Sequence, residues 1–296
     1  HVVGLFRIWT IPYAEPLENQ GLNGFFDPQD QKEWEIQGRT ILKLILDHTD
    51  MLICAEDLGV IPLVCTQTLE EFGIPGNDVQ RWKKDYKVSF NFLAPEGYRF
   101  LSVSMLSTHD TTLWPTWWEE EAGTVDRLLF MRRCKEREIN FEKIKTELFD
   151  LENSTERRLR WRREIDSEEK LVKILGKPKE KLLDFIGFYK ESFAEREKLF
   201  GLFGFKGMPP KECTPEIITS ALKLVLESSS IFCINVIFDW LFFMQEIKEP
   251  AKFRINTPGT ISNQNWSVLL PLSLEDLLSH PKNKEILELN KATQRV

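Results

Sequence analysis

Four apolar runs constrain the fold of this 296-residue chain more than any other feature. Val2 to Ile11, Met51 to Ala55, Phe100 to Ser107 and Ile231 to Phe238 read as buried strands, and no polar residue interrupts the second of them. An apolar stretch without alternation is the pattern of a strand covered on both faces, as in a parallel sheet. Amphipathic segments lie between the runs, for example Gln37 to Thr49, where Ile41, Leu44 and Ile45 recur at helical spacing. Strand alternating with helix predicts an α/β fold. A shorter strand is expected in "NDVQRW", residues 77–82, after the turn signal Gly73-Ile74-Pro75-Gly76.

The character changes from Glu119 to about Ser230, where charge is dense and helix formers prevail. This stretch is expected to be a block of four or five helices. Its most charged part, "ERRLRWRREIDSEEKL" at 156–171, reads as a solvated helix face rather than an RNA contact, because Glu164, Asp166, Glu168 and Glu169 directly follow the basic half. Ser273 ahead of Glu275 and Asp276, and Pro281 beyond, announce two short helices at the end. The expected division is therefore 1–118 with strands and loops, 119–230 helical, and 231–296 with the last strands and helices.

A formal charge of −7 argues against a nucleic-acid partner, since phosphate neutralisation needs a basic face. Five cysteines form no CxxC pair, four histidines are too scattered for a zinc site, and no run is long enough to span a membrane. These features predict a cytoplasmic protein with no metal, no cofactor and no membrane partner. Residue 1 is a histidine within an apolar run, so the sequence is expected to be a fragment of a longer chain.

The chemistry is expected where the runs end. "MLICAEDLGVIP", residues 51–62, sets Glu56 and Asp57 at the exit of a run that Gly59 and Pro62 then close. Carboxylates at the C-terminal ends of parallel strands sit where α/β enzymes build their sites. The competing reading makes both residues loop acids, with Asp57 as a helix cap. In "SVSMLSTHDTTLWPTWW", residues 102–118, His109 and Asp110 follow the third run, with Trp114, Trp117 and Trp118 beyond them. Two carboxyl groups, an imidazole and indole faces that stack on sugar rings form a glycoside-processing set. The same spacing of tryptophans also fits the core stripe of a helix.

"AEDLG" at 55–59, "STHD" at 107–110 and "RINTPGT" at 254–260, with Asn265, Trp266 and Ser267 after it, together resemble the 4-α-glucanotransferases. These are also called amylomaltases or disproportionating enzymes, glycoside hydrolase family 77 of the α-amylase superfamily. The opening "HVVGLFRIWTIP" is similar to the stretch that follows a family Arg-Ile-Asp-His motif, with His1 matching its histidine. The resemblance implies the C-terminal half of a (β/α)8 barrel with an inserted helical block. It further implies α-1,4-glucan transfer between maltooligosaccharides by retaining double displacement, on glucose, starch or glycogen glucans, without a cofactor. Glu56 would be the general acid/base, protonated near neutral pH by its apolar setting, and Asp110 the transition-state stabiliser. His109, Asn256, Trp9 and Trp117 would bind sugar. The family's nucleophile is the aspartate before the histidine matched by His1, and an arginine stands two positions before that aspartate. This chain holds neither, so it is expected to be inactive by itself. The arginine that relatives carry soon after Asn265-Trp266-Ser267 is also missing. The motifs stand closer to the bacterial maltose-system and plant cytosolic branches than to the thermophile branch. A hydrolase of the same superfamily and a glucan-binding protein without turnover remain the alternative readings.

Overall fold

The computed structural model describes residues 28–57 and 61–295. The expected strand from Val2 to Ile11, and with it His1 and Trp9, lies outside the described residues, as does Gly59. In chain order the strands are β1 (Gly76–Val79), β2 (Ser102–Met105), β3 (Thr124–Asp126), β4 (Phe149–Asp150), β5 (Arg158–Trp161) and β6 (Phe232–Cys233). The chain divides into two compact units. One takes in His1–Gln80, Pro95–Met105 and Ser228–Ile234, and the other Arg81–Ala94, Leu106–Glu227 and Asn235–Val296.

The first unit is built on a parallel sheet in the order β1-β2-β6. Gly76 to Val79 pair with Ser102 to Met105, and Val103 and Ser104 pair with Phe232 and Cys233. Ser102 and Ser104 of the central strand are fully buried, which a sheet covered on both faces tolerates only if their hydroxyls are bonded. They are: Ser102 Oγ lies 2.7 Å from Arg99 O and 2.8 Å from Ser230 Oγ, and Ser104 Oγ donates to Phe232 O at 3.3 Å. The Phe100 to Ser107 run thus holds a strand, and "NDVQRW" begins as one before turning into a helical turn over Gln80–Trp82.

The Met51 to Ala55 run does not form a ladder strand. Ala55 N donates to Pro75 O at 2.8 Å and Asp57 N to Asn77 Oδ1 at 2.7 Å, so the segment is tied to the β1 region at its end. Ala55 and Ile53 pack with Leu42, Leu69 and Ile74, whereas Leu52 is 61% exposed and Cys54 is exposed too. Alternate side chains therefore face opposite ways, and five consecutive apolar residues conceal that alternation in the sequence. Among the described residues the first helix runs over Pro28–Leu46, starting earlier than the expected Gln37. Leu42 faces the core, and Leu44, placed on the stripe by spacing, is exposed.

The second unit corrects the expectation of a purely helical block. Between residues 119 and 230 six α-helices are present, at Arg127–Glu136, Phe141–Leu148, Glu168–Leu175, Leu183–Ser192, Glu195–Leu202 and Pro215–Leu226. With them stands an antiparallel sheet in the order β3-β5-β4. Part of the charged segment 156–171 is strand β5 rather than helix. Leu159 and Trp161 are buried while Arg158 and Arg160 alternate with them. Phe130 is the hub of the core beneath, with Phe149 and Phe185 at ring-centroid distances of 5.0 and 4.9 Å, both edge-on. Some helix starts carry side-chain caps: Asp126 accepts from Leu129 N at 2.7 Å and Ser273 from Asp276 N at 3.0 Å, the latter as the sequence signal anticipates. The Ile231 to Phe238 run is divided between β6 and a helix over Ile237–Phe243. Among the described residues no helix is long and apolar enough to cross a membrane.

Candidate active site

Two motifs separated by more than a hundred residues meet in the second unit. His109 and Asp110 lie on the loop after β2, held by Asp110 N donating to Thr108 Oγ1 at 3.2 Å and Thr108 N to Thr111 Oγ1 at 3.0 Å. The "RINTPGT" loop joins them: Asn256 N donates to His109 O at 3.0 Å, and Asn256 Nδ2 donates to Asp110 Oδ1 at 2.6 Å. Arg254 spans the same junction, with Nη2 on Asp110 O at 3.2 Å and Nε on Asn256 O at 2.9 Å. His109 Nε2 lies 3.5 Å from Asp110 Oδ1. Asn256 is thus fastened to the Asp110 carboxylate and fixes its orientation, a role beyond the sugar bonding expected of its amide.

Trp266 completes the cluster, its ring 4.9 Å from that of His109. Its indole is 65% exposed and its φ is 60°, a backbone conformation that bulky residues seldom adopt. Trp266 N donating to Ile255 O at 2.8 Å holds it there. Spacing and composition did not single out Trp266 as a site residue, although it belongs to a matched motif.

Asp110 and Arg254 border a cavity of about 460 Å³ within this unit. Trp117, expected as a sugar platform, is 4% exposed and packs edge-on against Phe92 at 6.2 Å. Arg81 lies over the ring, 5.6 Å from its centroid. The indole nonetheless borders the cavity, while Trp114 and Trp118 are fully buried beside it. Trp82 and Tyr86 line the same cavity and are more open, at 53% and 46% exposed.

Beneath the loop two buried ionisable side chains, Arg81 and Asp239, are bonded to the residues after β2. Arg81 donates to Thr112 O at 2.7 Å, Thr112 Oγ1 at 3.1 Å and Ser107 Oγ at 3.2 Å. Burial pulls its guanidinium down to about 10, opposed by the charges of Glu121, Asp239 and Glu195. Asp239, fully buried, accepts from Trp114 N at 3.0 Å. Burial pushes its carboxyl up from 3.8 to about 6, against the bonds from Trp114 and Ser107 and the charge of Arg81. The folded chain therefore keeps a proton that the unfolded chain loses, so Asp239 contributes most at low pH and its contribution falls as pH rises through that window. Between about pH 4 and pH 8 we expect urea unfolding of the Asp239→Asn variant to show roughly 1–3 kcal/mol less of this loss than the parent. Equal pH dependence in the two would assign the effect to other groups.

In the first unit the adjacent acids divide. Asp57 and Asp78 both pair with Arg99, whose Nε also donates to Asp78 Oδ1 at 2.9 Å. Burial disfavours the Arg99 charge, but the bonds and charges of the two aspartates outweigh it and raise its pKa. A Cβ on Gly76 would stand 2.9 Å from both Arg99 Nη2 and Asp57 Oδ2, so a side chain there would have to shift this ion pair. Half-buried Glu56 makes no hydrogen bond or ion pair within 4.0 Å with any described residue. Asp57 is committed to the fold, and Glu56 is left available.

The family model for 4-alpha-glucanotransferase matches residues 1–273. The chain belongs to the 4-alpha-glucanotransferase family. Among its relatives in the family, the 4-alpha-glucanotransferase of Chlamydia trachomatis serovar D is 30% identical over 291 residues, 97% of this chain and 40% of the relative. That of Chlamydia muridarum is also 30% identical, over 289 residues and 40% of its length. The chain thus spans about two fifths of these glucanotransferases. A solved amylomaltase from Streptococcus agalactiae in complex with acarbose is 17% identical, with 89% of this chain and 35% of that one aligned and a TM-score of 0.45.

Proposed function

We propose that the protein carrying this sequence transfers α-1,4-glucan segments between maltooligosaccharides, with Glu56 as general acid/base and Asp110 as transition-state stabiliser. The observation that carries this reading is the joining of the "STHD" and "RINTPGT" loops through Asn256 and Asp110. A carboxylate held by an amide and an arginine-braced loop, beside an imidazole and an exposed indole, suits a sugar ring on which positive charge develops. The parallel sheet supports a (β/α)8 barrel, since its strands neighbour one another in chain order.

In this chemistry the acid protonates the departing glycosidic oxygen while a second carboxylate takes the glycosyl unit onto itself. The ionised Glu56 then removes the proton from the 4-hydroxyl of the acceptor sugar, which displaces that carboxylate. No residue of this chain is assigned as the second carboxylate. His109 and Asn256 orient the ring and the Asp110 charge, and Trp266, Trp82 and Tyr86 offer faces to sugars. The glucan segments of starch or glycogen are donors of the same linkage.

The test is incubation of the protein with pure maltotriose. Glucose together with chains longer than maltotriose is the expected product pattern. Glucose and maltose alone would make the protein a hydrolase, and binding without products would make it a glucan-binding protein.

A further inference from the structure

We propose that the second unit holds a separate binding site for a phosphate monoester, in the cleft between β4, β5 and the helix Glu195–Leu202. The cleft has a volume of about 690 Å³ and is bordered by five cations, Arg160, Arg162, Arg163, Arg196 and Lys211, against the acids Asp150, Glu152 and Glu164. Two of the cations are already used: Arg163 pairs with Glu197 at 2.9 Å, and Arg162 with Glu164 at 3.5 Å. Asp150 is turned to its own loop, accepting from Asn153 Nδ2 at 2.8 Å and Asn153 N at 3.2 Å.

Arg160 and Arg196 are different. Among the described residues neither has a carboxylate within 4.0 Å. Arg160 spends its donors on backbone oxygens, with Nη1 on Ala122 O at 2.8 Å, Nη2 on Glu119 O at 3.2 Å and Nε on Asn153 O at 3.1 Å. Its fixed charge is thereby rigidly placed but not neutralised. Arg196 makes no hydrogen bond to a described residue, and both guanidiniums are half-buried. Burial and the charge of Arg196 hold Arg160 down to about 10 against Glu197, Asp150 and Glu195, and burial lowers Arg196 as well, against Glu197. Charges withdrawn from water and set against one another are costly unless an anion joins them.

A phosphate dianion fits this arrangement because it accepts forked guanidinium bonds on several oxygens, with Lys211 as a further point charge. The cleft is far larger than an orthophosphate, which is why the site is assigned to an ester with an organic part, a sugar phosphate or a nucleotide. None of its lining residues belongs to the cavity beside Asp110.

Calorimetric titration of the full chain with glucose 6-phosphate, AMP and orthophosphate tests this. One of the two esters is expected to bind, more weakly as salt rises. Arg196→Gln should weaken that binding at least about tenfold with the circular-dichroism spectrum unchanged. Lys211→Gln, on an exposed loop, provides a second variant in case the first does not fold, and should weaken it too. Which ester binds names the class. Orthophosphate binding as tightly as either ester would overturn the ester assignment. No binding, or binding indifferent to both variants, would overturn the site.

Discussion

Glu56→Gln is expected to lower transfer from maltooligosaccharides by about 10²–10⁴-fold in the protein that carries this sequence, because an amide cannot protonate the departing glycosidic oxygen. Among the described residues Glu56 is the member of the acidic pair without an ion-pair partner, while Asp57 is bound to Arg99. The variant should keep its fold, since no ion pair is broken. A donor whose leaving group needs no proton separates the chemical role from a structural one. With α-glucosyl fluoride the variant is expected to regain most of the rate of fluoride release in the first step. Completion of transfer stays slow, because the acceptor hydroxyl still needs a base. Equal loss with both donors would remove Glu56 from the acid/base role.

Asp110→Asn is expected to cost about 10²–10³-fold in kcat with little change in KM, since charge at Asp110 matters most when positive charge builds on the sugar. The substitution is close to isosteric, and the carboxylate is partly exposed, so it tests charge rather than packing. Asn256→Ala should follow the same split with a smaller loss, because it frees the carboxylate without removing it. A rise in KM with kcat unchanged would make Asp110 a ground-state binding residue instead.

How far the sequence disclosed this molecule depends on where its patterns had contrast. Phe100 to Ser107 announced the central parallel strand, and the strand-helix alternation announced the class. Met51 to Ala55 misled because five apolar residues show no period, while the structure turns Leu52 outward and Ala55 inward. "RLRW" at 158–161 did carry a period of two, but the surrounding charge read more strongly as a helix, and the two arginines proved to bond backbone oxygens of Thr124 and Ala122. Residue type alone could not sort the tryptophans. Trp117 is buried by Phe92 and Arg81, partners more than twenty residues away, whereas Trp82 and Trp266 stay open. The meeting of Asp110 with Asn256 was legible only through the motifs, since no local pattern joins residues 146 apart.

The most direct test of the glucan site is to locate a bound sugar, in crystals of the Glu56→Gln variant soaked with a maltooligosaccharide. A glucosyl ring within hydrogen-bond reach of Asp110, with Trp266 against a sugar face, is the expected result. A glucan seated elsewhere, with Asp110 bonded only to Asn256, would contradict it.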